Sequence, residues 1–204
     1  MRAVCVFCGS SPGGRPDYLA GAAQLARTLA GRGIRIVYGG AHVGTMGALA
    51  DAALDAGADV VGVIPRTLVE AEIAHKGLST LHVVESMHER KAMMAQLSDA
   101  FIALPGGVGT LEEFAEVTTW TQLGLHAKPT GLLNLCGYYD HLLRFLDHAA
   151  SERFVTPEHR SLIVASHEPE ALLTAMGNWQ PPARPKWMNA DGAQVAGLTI
   201  GRQT

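Results

Sequence analysis

The sequence predicts an α/β fold: a Rossmann-like, doubly wound parallel sheet with helices on both faces, in a single domain. Three observations carry this. Short runs rich in β-branched residues alternate with stretches of helical periodicity along most of the chain. The runs are apolar on both faces, as strands covered from both sides must be. Two strand-to-helix turns, "YGGAHVGTMG" (38–47) and "LPGGVGT" (104–110), are crowded with glycine, which is costly in backbone entropy unless something must approach the backbone closely.

The elements follow in order. "AVCVF" (3–7) reads as the first strand, and a helix over 17–32 follows, with Leu19, Ala22, Ala23, Ala26, Leu29 and Ala30 at helical spacing and mostly small enough to sit close on a sheet. "IRIVY" (34–38), "DVVGVI" (59–64), "TLHVV" (80–84), "AFIAL" (100–104), "TGLLN" (130–134) and a weaker "SLIVA" (161–165) supply the remaining strands. Helical patterns cover 45–56, 87–97, 110–124, 138–150 and 168–176. One Rossmann-like domain is therefore expected over 1–176. Residues 177–204, with Pro-Pro and little periodicity, read as an extended or partly ordered C-terminal tail.

Bulk properties narrow the function. At 204 residues the chain fits one ordinary domain. A formal net charge of −3, with Lys and Arg scattered singly, gives no footprint for nucleic acid or an anionic membrane surface. No apolar run reaches signal-peptide or membrane-spanning form, so a cytoplasmic protein is expected. Three cysteines argue against a disulfide framework. Cys5 and Cys8 form a C-x-x-C, but residues three apart on a strand point to opposite faces. The nine histidines lack metal-binding spacing, so no metal or other cofactor is expected.

In open parallel sheets, ligands bind beyond the carboxyl ends of the strands, where glycines let backbone amides meet a phosphate at a helix start. Three loops qualify: "CGSS" (8–11), "GGAHVGTMG" (39–47) and "PGGVGT" (105–110). A dinucleotide fold needs G-x-G-x-x-G after the first strand and an acidic residue ending the second; here stand "GSSPGG" and Tyr38-Gly39-Gly40. A P-loop needs Lys after its second glycine, but Thr45 and Met46 follow Gly44. There remains a phosphate-bearing ligand that is held while chemistry occurs elsewhere on it.

Two residues are candidates for that chemistry. Met87, Arg90, Met94 and Leu97 recur on one helical stripe, which places a cation among residues expected to be buried, with Lys91 on the same flank. Arg90 must either snorkel, join a structural ion pair, or meet a ligand oxygen with its planar fork. Glu113 ends Thr110-Leu111-Glu112-Glu113, a T-x-x-E that is a capping box on one reading and a catalytic or sugar-binding carboxylate on the other. Glu112 and Glu116 are expected on a solvated or subunit-facing edge, and Glu89 at the surface.

"GGAHVGTMG", "MHERKAMM" (87–94) and "PGGVGTLEE" (105–113), with "FCGSS", "KPTGLLN" and "GYYDHLL", resemble the LONELY GUY family of cytokinin riboside 5'-monophosphate phosphoribohydrolases over residues 2–175. The resemblance implies a Rossmann-like fold and hydrolysis of the N-glycosidic bond of an N6-substituted adenosine 5'-monophosphate, without a cofactor. It puts Arg90 and Glu113 at the catalytic positions with Met87 and Lys91 beside them, and so favours the functional reading of Glu113. It puts Gly106, Gly107, Gly109 and Thr110 on the phosphate, with Ser10, Gly40, Gly44, Thr45 and Met46 lining the cleft. It also implies a homodimer with sites near the subunit interface. The chain departs from the pattern at Ser151-Glu152-Arg153-Phe154, where relatives often have glycine before the Phe. Alternatives are a general purine or pyrimidine monophosphate nucleosidase, and a non-catalytic nucleotide or molybdenum-cofactor carrier. The older label of lysine decarboxylase finds no support, since none of the four lysines stands in a recognisable pyridoxal-phosphate setting.

Overall fold

Runs that are apolar on both faces require cover on both sides, and the chain supplies it by winding in two directions from its first strand. In the computed structural model, which describes residues 1–71 and 73–181, the strands are β1 (Ala3–Phe7), β2 (Arg35–Tyr38), β3 (Val60–Pro65), β4 (Thr80–Val84), β5 (Ala100–Ala103), β6 (Thr130–Leu133) and β7 (Ile163–Ser166). They form one sheet in the order β4-β3-β2-β1-β5-β6-β7, and every neighbouring pair is parallel. Cys5 of β1 lies opposite Val37 on one side and Phe101 on the other. The winding reverses between β1 and β5, the switch point at which such sheets open a crevice.

The helices are α1 (Pro16–Gly31), α2 (Gly44–Asp55), α3 (Arg66–Glu70), α4 (Met87–Gln96), α5 (Val108–Gln122), α6 (Asp140–Ser151), α7 (Pro157–Arg160) and α8 (Pro169–Gly177), with a 3-10 turn at Leu135–Gly137. Helices α1, α2 and α8 cover one face, packing Leu25, Leu29, Leu49 and Leu172 on Val4, Val6, Ile36 and Tyr38. Helices α4, α5 and α6 cover the other, with Met94, Phe114 and Val117 on Phe7, Val37 and Phe101. Each large side chain so buried contributes about 1.5–3 kcal/mol. Cys5 and Cys8 fall in opposite cores, as their spacing requires, and both are free thiols.

Several expectations need correction. The short α3, the short α7 and the 3-10 turn have too few residues to show a period, and the sequence reading missed them. Helix α5 begins at Val108 rather than 110, and β7 begins at Ile163 rather than 161. Met87 is exposed, so the buried stripe of α4 starts at Arg90 and continues through Met94. Of the predicted tail, Gly177 closes α8 and residues 178–181 follow it, with Trp179 Nε1 donating to the Leu162 carbonyl at 3.1 Å. The remainder, 182–204, lies outside the described residues.

Candidate active site

The three glycine loops converge at the switch point because each is packed on the next. Thr45, the second residue of α2, both accepts from the Gly9 N–H and donates to the Gly9 carbonyl at 2.9 Å, stapling the loop after β1 to the start of α2. Gly44 has φ +58, and a side chain there would collide with the Ser10 backbone, so both conformation and contact demand glycine. A Cβ on Gly9 would in turn touch the Gly106 Cα at 3.4 Å. Together these loops enclose a cavity of about 300 Å³ lined by Ser10, Ser11, Tyr18, Thr45, Gly107 and Tyr138 among others.

Helix α5 opens onto this region. Its N-cap is Gly107, and no side chain caps it, so its first turn presents backbone N–H groups together with the positive end of the helix dipole. A Cβ on Gly107 or Gly109 would meet nothing within 4 Å, so protein packing does not explain these glycines. Gly106 differs, because the buried Thr110 side chain occupies the space its Cβ would need. Thr110 is therefore not the cap of a T-x-x-E box, and that reading of Glu113 fails. A capping pair does exist at Ser86 and Glu89, where Ser86 Oγ accepts from the Glu89 N–H at 3.1 Å and Glu89 Oε2 accepts from the Glu85 N–H at 2.8 Å.

Freed of that duty, Glu113 faces Arg90 across the gap between α5 and α4. Arg90 Nη1 lies 3.6 Å from Glu113 Oε1, with both side chains about nine-tenths buried. At that distance the pair is electrostatic rather than a formed hydrogen bond. Arg90 is fixed elsewhere: its Nε donates to the Val63 carbonyl at 3.1 Å, and its Nη1 approaches Met87 Sδ at 3.8 Å. Its Nη2 rests on Gly39, where any Cβ would displace it. Burial pushes the Glu113 carboxyl up to about 6, with Arg90 and Lys91 opposing the shift and Glu112 and Glu116 reinforcing it.

The expected site residues thus divide. Ser10, Gly44, Thr45, Gly106, Gly107 and Thr110 meet at the cavity and its rim, while Met87, Arg90 and Glu113 form a second group, with Glu113 in the second turn of α5. Met46 links the groups, since its N–H donates to the Gly9 carbonyl at 3.3 Å and its sulfur lies near Gly39. Gly40, with φ +77, packs instead on Ile64 and Leu81 of the neighbouring strands. Lys91 points to α5, with Nζ 2.5 Å from Glu112 Oε1 and 3.0 Å from Glu116 Oε2. These partners hold it charged and brace α4 against α5. Gly39 is the residue that sequence reasoning did not single out; the doubled glycine was its only signal.

The class defined by this architecture is a Rossmann-like α/β protein with its cleft at the switch point. Residues 46–176 match the family model described as "possible lysine decarboxylase". The chain is 53% identical over 176 residues to the cytokinin riboside 5'-monophosphate phosphoribohydrolase of Rhodococcoides fascians, covering 86% of this chain and 89% of that protein. It is 49% identical over 181 residues to a probable enzyme of the same name from Oryza sativa subsp. japonica, covering 89% and 80%. The chain belongs to the LONELY GUY family, to which that family model corresponds. Among solved structures, the molybdenum cofactor binding protein of Rippkaea orientalis superimposes with a TM-score of 0.66 at 22% identity, covering 86% of this chain and 95% of that one. That likeness is one of fold.

Proposed function

We infer that the chain hydrolyses the N-glycosidic bond of cytokinin riboside 5'-monophosphates, releasing the free base and ribose 5-phosphate, and that it accepts AMP by the same chemistry. The observation that carries this reading, beside the family, is the buried Arg90–Glu113 pair, with Glu113 in the second turn of α5 just past its uncapped start. The bond from C1' of the ribose to the base nitrogen breaks, water supplies hydroxide to C1', and its proton goes to the base.

Breaking that bond develops positive charge on the ribose and negative charge on the base. The Glu113 carboxylate offsets the first and holds the ribose hydroxyls or the attacking water, by analogy with the carboxylates of glycoside hydrolysis. Arg90, held by Val63 and Gly39, orients the ligand and assists the departing base. The amides at Gly107 to Thr110 bind the 5'-phosphate, turning remote binding into positioning of the reacting bond. Lysine-centred decarboxylation has no comparable support: Lys91 is held by two carboxylates and Lys128 Nζ donates to the Ala95 carbonyl at 2.7 Å.

The reading includes a homodimer and a cytoplasmic location. Helix α6 buries none of its own residues, and Phe145 is 63% exposed beside an apolar hollow shared with Leu111 of α5. A second copy covering this face places the interface next to the first turn of α5. Three free thiols fit a reducing compartment, and no helix among the described residues is long and apolar enough to cross a membrane.

The test is product analysis after incubation with isopentenyladenosine monophosphate, AMP and the unphosphorylated riboside. Base and ribose 5-phosphate from the monophosphates alone is the expected result. No base from any of the three overturns the reading.

A further inference from the structure

The motif "GYYDHLL" has no part in the chemistry above, yet its first tyrosine reaches the glycine loop. Tyr138 Oη donates to the Gly106 carbonyl at 2.5 Å from a position 32 residues along the chain. The adjacent Tyr139 does the same deeper in the protein, its hydroxyl donating to the Leu104 carbonyl at 2.5 Å. Two successive side chains thus hold alternate carbonyls of Leu104-Pro105-Gly106. The buried bond stabilises the end of β5. The outer one acts on the residue just before the α5 N-cap.

We propose that Tyr138 is a positioning residue for the 5'-phosphate: its hydroxyl fixes the Gly106–Gly107 peptide plane and so pre-aims the amides at the start of α5. Gly107 and Gly109 have no side chains and nothing packs where a Cβ would lie, so this turn has little intrinsic stiffness. A trans peptide is planar, so holding the Gly106 carbonyl fixes the direction of the Gly107 N–H. The bond also turns the carbonyl's lone pairs toward a donor, where they would otherwise be free to face an anion.

The Tyr138 ring is itself located. It packs edge-on against Tyr18, with centroids 5.7 Å apart, and against Tyr139 at 5.0 Å. Tyr18 is in turn wrapped by the loop after β1, where a Cβ on Gly13 (φ +75) would lie 2.6 Å from its ring. Both rings line the 300 Å³ cavity. The aromatic pair therefore joins the first and third glycine loops, while the hydroxyl sets the geometry of the third.

This inference rests on the proposed hydrolysis of the N-glycosidic bond, and the test separates the two. Binding of ribose 5-phosphate and of the unphosphorylated riboside is measured by calorimetry on wild type and Tyr138→Phe, with steady-state kinetics on AMP. The variant keeps the ring and removes only the hydroxyl. Expected are a roughly tenfold weaker affinity for ribose 5-phosphate and a KM for AMP raised by about as much, from lost pre-organisation. Affinity for the unphosphorylated riboside should not change, and melting should stay within a few degrees of wild type. A merely structural bond would lower the melting temperature and leave the phosphate dependence alone. Equal ribose 5-phosphate affinity in the two proteins, or none in wild type, overturns the assignment of Tyr138. A wild type that binds but releases no base overturns the hydrolytic reading while the affinity ratio still decides the role of Tyr138.

Discussion

Arg90 and Glu113 face each other at 3.6 Å in a nearly dry setting, yet burial leaves the Glu113 carboxyl titrating at about 6. The cation is held by Val63 and Gly39 rather than pressed onto the acid. A closer pair would satisfy both charges and leave neither available to a ligand.

The first prediction concerns Glu113. Its folded value of about 6 exceeds the ordinary 4.5, so the folded chain binds more protons between those limits. The stability associated with this group is fully present below pH 4.5 and lost as pH rises through 6, by about 2 kcal/mol in total. Glu113→Gln removes that dependence, so stability relative to the variant should decline over this window in denaturant titrations. The variant's kcat should fall by about two orders of magnitude or more with its fold intact, and wild-type kcat/KM should fall below pH 6. A variant with wild-type turnover removes Glu113 from the mechanism.

Gly39 offers a test that leaves both charged residues in place. A methyl group there occupies the position of Arg90 Nη2, so Gly39→Ala must push the guanidinium away from Val63 and Glu113. Turnover should drop by about two orders of magnitude, as for loss of a charge-stabilising group, at a stability cost of about 1–3 kcal/mol for overpacking. Gly31→Ala, where a Cβ meets nothing within 4 Å, serves as the control and should leave turnover unchanged.

Lys91 acts on the site through α5. It lowers the Glu113 value while Glu112 raises it, and it is held between Glu112 and Glu116. Lys91→Met should therefore shift the acid limb of kcat/KM to higher pH, and Glu112→Gln should shift it lower. Identical limbs in both variants would show that Glu113 does not set the profile.

How far all this was legible in the sequence depends on the range of the interaction. The seven strands and six longer helices were readable because short apolar or β-branched runs alternate with full helical turns that leave a period; α3 and α7 leave none. Arg90 and Glu113 could be named because a cation in an apolar stripe and an acid after a glycine turn are local anomalies. What Glu113 does there was not local. T-x-x-E fits a cap as well as a ligand, and only the entry of α5 at Gly107 decides against the cap. The contacts from Gly39 to Arg90 and from Tyr138 to Gly106 span 51 and 32 residues, and no spacing rule reaches that far.

The last prediction comes from the departure at Arg153. Helix α6 ends at Ser151, and the turn closes with the Arg153 N–H donating to the Ala150 carbonyl at 3.0 Å and the Phe154 N–H to the Ala149 carbonyl at 2.9 Å. That closure requires a left-handed residue, and Arg153 takes φ +66, one of two non-glycine residues with positive φ among those described. A side chain in this conformation costs about 1–2 kcal/mol, against about 0.4–1 kcal/mol for the extra freedom that glycine gives the unfolded chain. Arg153→Gly should therefore stabilise the protein by up to about 1.5 kcal/mol, raising its melting temperature by about 2–4 °C for each kcal/mol gained, with kcat unchanged. A lower melting temperature would mean that the Arg153 side chain contributes more through contacts than its backbone costs.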